Sequence, residues 1–456
     1  MIVMKFGGTS VEDAAAVGRV VSIVAEQSGR PPLVVLSACA GVTNDLIRAA
    51  GAVEAGNRTE SLAIHEKLLR RHRALASSLL RGDELQEAES RISRLFAELK
   101  NYIDGISLLG ELTDRTLDAF TGYGERLSSL IVSGAMREAG LDAVLVDAGE
   151  VMITDEHFGS ALPLVDLVAE RAHAVIRPHL ARGRTVVTQG FIGATRAGTS
   201  TTIGRGGSDY SAAIFGSVLG AEEIQIWTDV DGMMSADPRM IPGARLLKTL
   251  SFNEASELAY FGAKVLHPKT ILPAVDKNIP VRILNSQKPH VSGTMIVNQA
   301  GQADGTAQQV KSIACKTGIV VIQINSSRML MAHGFLARLF GVFAEHKKSV
   351  DVVATSEVSV SLTVDTEENL GPLLRELETI ADIQIRRGKA IICAVGDAMR
   401  NTPGIAARIF SSLAAAGVNI EMISEGASEI NLTVVVDERD AAAAVRALHD
   451  EFYPPK

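Results

Sequence analysis

Met1-Ile-Val-Met-Lys-Phe-Gly-Gly-Thr-Ser-Val-Glu-Asp13 opens the chain and runs from an apolar stretch, through two glycines, to a hydroxyl pair. Ile2, Val3, Met4 and Phe6 predict a short buried strand. Gly7 and Gly8 break it, and Thr9 or Ser10 is placed to cap a helix starting near Val11. Glu12 and Asp13 then fall in a first turn, where acids suit the positive helix end. Strand, glycine turn and helix start together expose backbone N–H groups to an approaching phosphate. Lys5 adds a flexible cation at the end of the strand. An ordinary βα turn has the same pattern, and the spacing fits neither GxGxxG nor Walker A.

Working outward, a helix is predicted over 11–27, a loop at Gly29-Arg-Pro-Pro32, a buried strand over 33–37 and a second small-residue turn over 38–44. This β-α-β alternation predicts a parallel sheet with right-handed crossovers. Ligands of such sheets gather at the carboxyl ends of the strands, which puts Gly7, Gly8 and residues 40–43 on one edge. Residues 45–107 read as helical. His65 and His72 are seven apart there and are expected at the surface, since no third metal ligand has suitable spacing. A further helix over 118–136 contains Gly122-Tyr-Gly-Glu-Arg126, with Glu125 between small residues that leave room for a small ligand.

At 456 residues the chain exceeds a single core, so about two to four domains are expected. With 46% hydrophobic and 21% charged residues it has the balance of an ordinary globular protein. A net charge of -8 argues against a nucleic-acid partner bound through a basic surface. Cys39, Cys315 and Cys393 are too far apart for a disulfide framework or zinc site and suggest a reducing, cytoplasmic setting. No signal peptide is visible, and no apolar run reaches the roughly 18–20 residues that would span a membrane.

Strands come next over 141–146 and 184–192, with a helix over 160–172 between them. The most glycine-rich segment ends in Gly204-Arg-Gly-Gly-Ser-Asp209 before a helix over 210–219. Ser208 or Asp209 is the expected N-cap, so residues 204–207 present amides beside Arg205, a fork-shaped cation suited to carboxylate or phosphate. This is a second anion cradle. Glu223–Thr228 is predicted as a strand leading to Asp229-Val-Asp-Gly232 and Ala236-Asp-Pro-Arg239. Helices over 253–261 and 269–277 and a strand at Val281–Asn285 close this part. Lys264 follows the first of these helices, within reach of a nucleotide phosphate. Residues 288–309 lack apolar periodicity and read as a linker.

The last third repeats itself. Gly334-Phe-Leu-Ala-Arg-Leu-Phe340 matches Gly404-Ile-Ala-Ala-Arg-Ile-Phe410, and Glu357-Val-Ser-Val-Ser-Leu-Thr-Val-Asp365 matches Glu429-Ile-Asn-Leu-Thr-Val-Val-Val-Asp437. Asp351 aligns with Glu421, and each copy then has a helix, 369–380 and 441–451. Two βαββαβ modules of the ferredoxin-like kind are predicted. Asn401-Thr-Pro-Gly404 and Asn419 read as turn residues of the second. Open sheet edges favour pairing within the chain and assembly between chains.

Lys5, Arg205, Arg239 and Lys264 beside two glycine cradles suggest phosphoryl transfer from a nucleotide, chemistry of positioning and charge neutralisation. A carboxylate acceptor, with a reference pKa of about 4, is already ionised at neutral pH and needs no general base. That fits the lack of any His or Cys near these loops in the sequence.

The motifs Lys5-Phe-Gly-Gly-Thr-Ser-Val11, Gly190-Phe-Ile-Gly193, Gly204-Arg-Gly-Gly-Ser-Asp209, Trp227-Thr-Asp-Val230 and Phe261-Gly-Ala-Lys-Val-Leu-His-Pro268 resemble those of the aspartokinases. The tail modules resemble that family's paired ACT domains. Residues 329–336 and 350–358 look most like the single-function, lysine-sensitive subclass. The resemblance implies an α/β amino-acid-kinase (carbamate-kinase-like) αβα sandwich over 1–287 and a linker over 288–310. ACT modules over 311–386 and 387–456 would complete the chain.

It also implies Mg²⁺ and ATP, and phosphorylation of the β-carboxylate of L-aspartate, the first step toward lysine, threonine, methionine and diaminopimelate. By motif, Lys5, Gly7 and Gly8 would meet the phosphates. Thr43, Glu125 and Arg205 would hold aspartate, with Glu125 on its ammonium and Arg205 on a carboxylate. Gly206, Gly207, Ser208 and Asp209 would complete the cradle, Asp209 orienting Lys5 or the metal. Thr228, Asp229, Arg239 and Lys264 would bind the nucleotide. Met234 replaces a tyrosine common among relatives, covering adenine without supplying a hydroxyl. Met329, Gly334, Leu336, Asp351, Ser356, Glu357 and Val358 match effector positions. Asp351 and Glu357 would pair the ammonium groups of lysine, and amides near Gly334 its carboxylate. Ala332 removes a hydroxyl usual in lysine-sensitive relatives. A homodimer or homotetramer through the ACT modules is implied. Two other readings use the same residues: a kinase for glutamate or acetylglutamate, and a non-catalytic amino-acid sensor.

Overall fold

The computed structural model describes residues 1–27, 29–261, 268–298, 309–326, 333–368, 370–399, 402–425 and 430–454. Contacts divide the chain into two compact units. The first is Met1–Met233, Lys248–Phe252 and Val265–Gln299, and the second is Met234–Leu247, Asn253–Lys264 and Ala300–Lys456.

The strands of the first unit are β1 (Ile2–Phe6), β2 (Pro32–Leu36), β3 (Ala143–Leu145), β4 (Ile153–Thr154), β5 (Thr185–Gln189), β6 (Ile192–Thr195), β7 (Ser200–Thr202), β8 (Glu223–Thr228), β9 (Thr249–Ser251), β10 (Val281–Asn285) and β11 (Thr294–Val297). Eight form one sheet in the order β3-β5-β2-β1-β8-β10-β11-β9, and β4, β6 and β7 form a small second sheet. β1 is central and parallel to both neighbours, with Lys5 opposite Val35 and Ile226. Every residue of β1, β2 and β5 is buried, as expected of parallel strands covered on both faces. The opening stretch therefore occupies the middle of the sheet.

Local starts and stops differ from expectation at several points. Residues Gly8–Val11 form a tight 3-10 turn, and Ser10 Oγ donates to Ser286 Oγ at 2.8 Å. The first helix, Ala14–Ala25, is therefore capped by Asp13, which accepts from the Ala16 N–H at 2.8 Å. The helix after the second cradle, Gly207–Leu219, has Gly206 as its N-cap in left-handed backbone (φ 74°), not Ser208 or Asp209. The strand expected over 184–192 ends at Gln189, because Phe191 adopts φ 64° and turns the chain into β6.

Residues 45–107 resolve into three helices, Val42–Glu54, Arg58–Leu79 and Gly82–Leu109. The two histidines there are not both surface groups. His72 is 0% exposed, burial pushes its imidazole down to about 4, and its Nδ1 meets the Leu68 carbonyl. His65 and His72 both pack on Phe96, so they share the inner face. Within the stretch read as a linker, Thr294–Val297 is a strand, antiparallel to β10 and parallel to β9.

The second unit contains β12 (Ser312–Asn325), β13 (Val353–Thr355), β14 (Ser359–Val364), β15 (Asp382–Val395), β16 (Ile420–Glu425) and β17 (Asn431–Asp437) in one sheet, ordered β13-β14-β12-β15-β17-β16. The long strands β12 and β15 pair antiparallel, with register shifts around 316–321. Gly318 (φ 74°) and Gly388 (φ 63°) supply the left-handed backbone at this kink. Two cores lie on the sheet. One gathers Val320, Ile322 and Ile324 with the helices Phe335–Glu345 and Leu370–Glu378. The other gathers Val310, Ile313 and Ile392 with Ile405–Ala415 and Ala441–Phe452. β12 thus serves both cores: its first half completes the second, its last half begins the first.

The repeat carries a repeated ion cluster. Lys316 Nζ lies 3.0 Å from Asp351 and 3.4 Å from Asp365, while Lys389 Nζ lies 2.5 Å from Glu421 and 2.6 Å from Asp437. The aligned acids 351 and 421 therefore do the same local work.

Candidate active site

The carboxyl ends of β1, β2 and β5 and the turn before Gly207–Leu219 surround a cavity of about 380 Å³. Its wall includes Lys5, Gly8, residues 37–41, Thr43, Asn44, Glu125, Phe191 and residues 204–209. The two cradles read from the sequence meet in it.

Glycine makes this closeness possible. A Cβ on Gly8 would lie 2.8 Å from the Ala38 carbonyl, and the Ala40 N–H donates to the Gly8 carbonyl at 3.0 Å. A Cβ on Gly190 would lie 2.7 Å from Ser208 Cβ, and one on Gly207 3.0 Å from the Phe191 ring. The second cradle thus rests directly on the Gly190-Phe191 turn. Its own path needs Gly204 (φ 78°) and Gly206 (φ 74°), which flank Arg205.

Lys5 Nζ lies 2.6 Å from Asp209 Oδ1, and both side chains are largely buried. With its helix capped by Gly206, the Asp209 carboxylate is free to face β1 rather than its own backbone. Arg205 is exposed and has no ion-pair partner among the described residues. Among the described residues the cavity wall therefore carries one engaged cation and one free one.

Glu125 closes the opposite wall. A Cβ on Gly124 would lie 2.7 Å from Ala38 Cβ, so the helix Tyr123–Glu138 abuts the β2 turn. Glu125 Oε1 accepts the Ala38 N–H at 3.1 Å, while Oε2 is buried without a hydrogen-bond partner among the described residues. Burial pushes this carboxyl up to about 8, against the Ala38 N–H, which favours the charged form. Glu125 is 3% exposed and lines the cavity, and such an orphan buried oxygen calls for a partner that the described residues do not supply.

The sequence reading missed Ser37, Cys39, Asn44 and Phe191 as wall residues: Cys39 and Asn44 lie in the turn it marked over 38–44, and Ser37 and Phe191 at the ends of the strands it expected over 33–37 and 184–192. Cys39 corrects the expectation that no cysteine lies near the loops. Burial pushes its thiol up to about 11, so it is a packed neutral group and no nucleophile.

Thr228 ends β8 and Asp229 follows it; the Trp227 carbonyl accepts the Gly7 N–H at 3.0 Å, so both stand near the Gly7-Gly8 turn without lining the cavity. Met234 and Arg239 belong to the second unit, where Arg239 forms an ion pair with Asp237 at 2.6 Å. Lys264, Met329, Ala332 and Asn401 lie outside the described residues. Leu336 and Val358 are exposed apolar groups, Glu357 and Ser356 are exposed, and Gly334 (φ 82°) opens the helix Phe335–Glu345. Asp351 is different. Its side chain is 2% exposed and is already engaged by Lys316 and by the Tyr260 hydroxyl, which donates at 2.6 Å.

Among the described residues no cluster of three or more His, Cys, Asp or Glu is arranged to hold a metal, and no helix is long and apolar enough to cross a membrane.

Residues 1–285 match the amino acid kinase family, and residues 392–452 match the ACT domain. Lysine-sensitive aspartokinase 3 of Escherichia coli (strain K12) is 36% identical, with 99% of each chain covered. The structure of E. coli aspartokinase III with aspartate and ADP, in the R-state, matches with a TM-score of 0.83 at 36% identity over 99% of each chain. The structure with lysine and aspartate, in the T-state, matches with a TM-score of 0.84 at 35% identity over 99% of each chain. The chain belongs to the amino acid kinase family and, within it, to the aspartokinases.

Proposed function

We propose that this chain transfers the γ-phosphoryl group of ATP to the β-carboxylate of L-aspartate, giving ADP and 4-phospho-L-aspartate, in the cavity between the two cradles. One observation carries the reading. Glu125, with a buried oxygen partnerless among the described residues, Arg205, without an ion pair among them, and the Lys5–Asp209 pair line a single cavity sized for a small amino acid and a phosphate chain.

Glu125 takes the substrate ammonium and Arg205 the α-carboxylate in a fork-to-fork contact, with Thr43 and the amides of residues 206–208 beside them. Both ends of aspartate are then fixed, and its β-carboxylate points toward Lys5. The amides of Gly7 and Gly8 receive the phosphates. Lys5, oriented by Asp209, offsets charge on the transferring group and on the acceptor oxygen. The nucleophile is an ionised carboxylate, so no proton has to be removed from it. Thr228 and Asp229 serve the nucleotide end. Mg²⁺ would suit the polyphosphate as an oxygen-bound counter-charge, and Asp209, the cavity carboxylate not given to the substrate ammonium, would be the group to hold it.

The same reading assigns residues 1–287 to catalysis, 288–310 to a connection, and 311–386 and 387–456 to two ACT modules, with Ser312–Lys316 lending a strand to the second. Feedback inhibition by lysine at the first module is supported by the exposed Glu357, Leu336 and Val358, and by the lysine-bound relative. Asp351 receives the effector ammonium in competition with Tyr260 and Lys316. Pairing through these modules into a homodimer or homotetramer is part of the proposal. The free cysteines 39, 315 and 393 support a reducing, cytoplasmic setting.

ATP-dependent aspartyl hydroxamate formation tests the activity, with glutamate in parallel and lysine, threonine or methionine added in turn. Activity with glutamate but not aspartate overturns it.

A further inference from the structure

We propose that Asp118 is a positioning residue, a strut that sets the two ends of the substrate amino acid in register by tying the helix bearing Glu125 to the loop bearing Arg205. The inference rests on the proposed aspartate-binding roles of Glu125 and Arg205, and adds a residue that does not line the cavity.

Asp118 lies on the helix Asp114–Thr121, is 2% exposed, and has no cation paired with its carboxylate among the described residues. A buried carboxylate without a counter-ion is costly unless donors surround it. Three do. Oδ2 accepts the Gly159 and Thr202 N–H groups, each at 2.9 Å, and Oδ1 accepts the Thr202 hydroxyl at 2.5 Å. The set is reinforced from the far side, where the Ala161 N–H donates to the Thr202 carbonyl at 2.9 Å. Thr202 is therefore held at its N–H, its hydroxyl and its carbonyl.

The segment after Thr202 is the reason such a hold matters. β7 ends there, and Gly204 passes so close to Gly159 that a Cβ would lie 3.3 Å from its carbonyl oxygen. Arg205 comes next, between two left-handed glycines that give its backbone no rigidity of their own. The loop's path is thus dictated by where Thr202 and Gly159 are pinned, and one carboxylate pins both.

The other end of Asp118 leads to the ammonium receptor. Its main-chain carbonyl accepts the Gly122 N–H at 3.1 Å, and Gly122 is the bend into the helix that starts at Tyr123 and carries Glu125. Gly122 is itself wedged, with a Cβ there 3.1 Å from Ile192 Cγ2. Side chain and main chain of one residue therefore link the carboxylate-binding and ammonium-binding walls. The Lys5–Asp209 pair and the Gly7-Gly8 turn lie outside this set of bonds.

That separation gives the test. Asp118→Asn keeps the shape but turns an NH₂ group or a weaker acceptor toward three donors. Thr202→Val removes only the hydroxyl bond, and it decides the matter if the asparagine variant does not fold. Steady-state kinetics on the full-length enzyme should show KM for aspartate raised about tenfold or more in Asp118→Asn and several-fold in Thr202→Val. KM for ATP should stay within about twofold, because the nucleotide wall is untouched. Glu125→Gln is the reference for direct loss of a substrate contact. If KM for aspartate in Thr202→Val stays at the wild-type value, whether or not the melting temperature falls, Asp118 is a fold-stabilising residue only and the inference is overturned. If the wild-type enzyme forms no phosphoaspartate, or Glu125→Gln leaves KM for aspartate unchanged, the underlying substrate assignment fails instead.

Discussion

Lys5 Nζ and Asp209 Oδ1 stand 2.6 Å apart, joining the central strand of the sheet to the first turn of the helix behind the second glycine cradle. The pair holds the lysine across the cavity before any ligand arrives, so little reorganisation is needed when charge develops on the transferring phosphoryl group. Lys5→Met should lower kcat by about 10²–10³-fold, by analogy with loss of one preorganised donor. Hydroxamate formation measures this, with circular dichroism to check the fold. Turnover within about twofold of wild type would remove Lys5 from the phosphoryl path.

Glu125 predicts a pH dependence of a definite sign. Burial raises its carboxyl from an ordinary 4.5 to about 8, so the empty site holds it protonated at neutral pH. The substrate ammonium favours the carboxylate, so aspartate binding releases a proton. KM for aspartate should therefore fall by up to about tenfold per pH unit on raising the pH from 6 toward 8, then level off. Glu125→Gln should flatten that slope and raise KM at pH 8 by roughly tenfold or more. The linkage to stability runs the other way. A carboxyl with a raised folded-state pKa stabilises most below 4.5, and the empty enzyme should lose that contribution as the pH climbs to about 8. Thermal melts of wild type and Glu125→Gln across that range check it.

The sheet and both cradles were legible because short-range rules govern them: an apolar-rich pentapeptide before paired glycines, and an Arg between glycines before a helix. The strands Ile2–Phe6, Glu223–Thr228 and Val281–Asn285 match expectation closely. Sequence spacing hides which partner a polar group chooses across the fold. Asp209 reads locally as a helix cap, and only the left-handed Gly206 frees it for Lys5. Asp118 reads only as the polar first residue of a helix over 118–136, since its donors at Gly159 and Thr202 are distant in sequence. His72 reads as exposed because its helix carries many charges, although its face packs on Phe96. The sharing of β12 between two cores is equally hidden, since a repeat of about 70 residues suggests consecutive modules rather than interleaved ones.

Gly8 provides a steric test of how the two βα turns meet. A methyl group there would lie 2.8 Å from the Ala38 carbonyl oxygen and 3.2 Å from the Ala40 nitrogen, both main-chain atoms that cannot swing away. Gly8→Ala should destabilise the protein by about 1–3 kcal/mol through overpacking. It should also weaken ATP and aspartate together, since it separates the phosphate turn from the Glu125 wall. Chemical denaturation and both KM values measure this. Gly18→Ala, where no atom lies within 4 Å of the added methyl, is the control.

Asp351 and Tyr260 supply the test of effector binding. Burial and the neighbouring Asp351 carboxylate raise the Tyr260 hydroxyl above its ordinary range, so it remains a donor throughout the working pH range. Its 2.6 Å bond and the Lys316 ammonium occupy the carboxylate that an effector ammonium would need. Under the proposed effector site, lysine would compete with these donors for one buried acceptor, and the sign of each variant's effect follows from that competition. Tyr260→Phe removes a competitor and should lower the lysine concentration for half-inhibition by several-fold, up to about tenfold for a bond to a charged acceptor. Asp351→Asn should raise that concentration by at least a similar factor, because the neutral amide holds an ammonium poorly. Inhibition curves at fixed aspartate and ATP, each normalised to turnover without lysine, separate these shifts from any change in catalysis. Sensitivity unaltered in both variants would detach Asp351 from lysine and leave its ion cluster a structural counterpart of Lys389, Glu421 and Asp437.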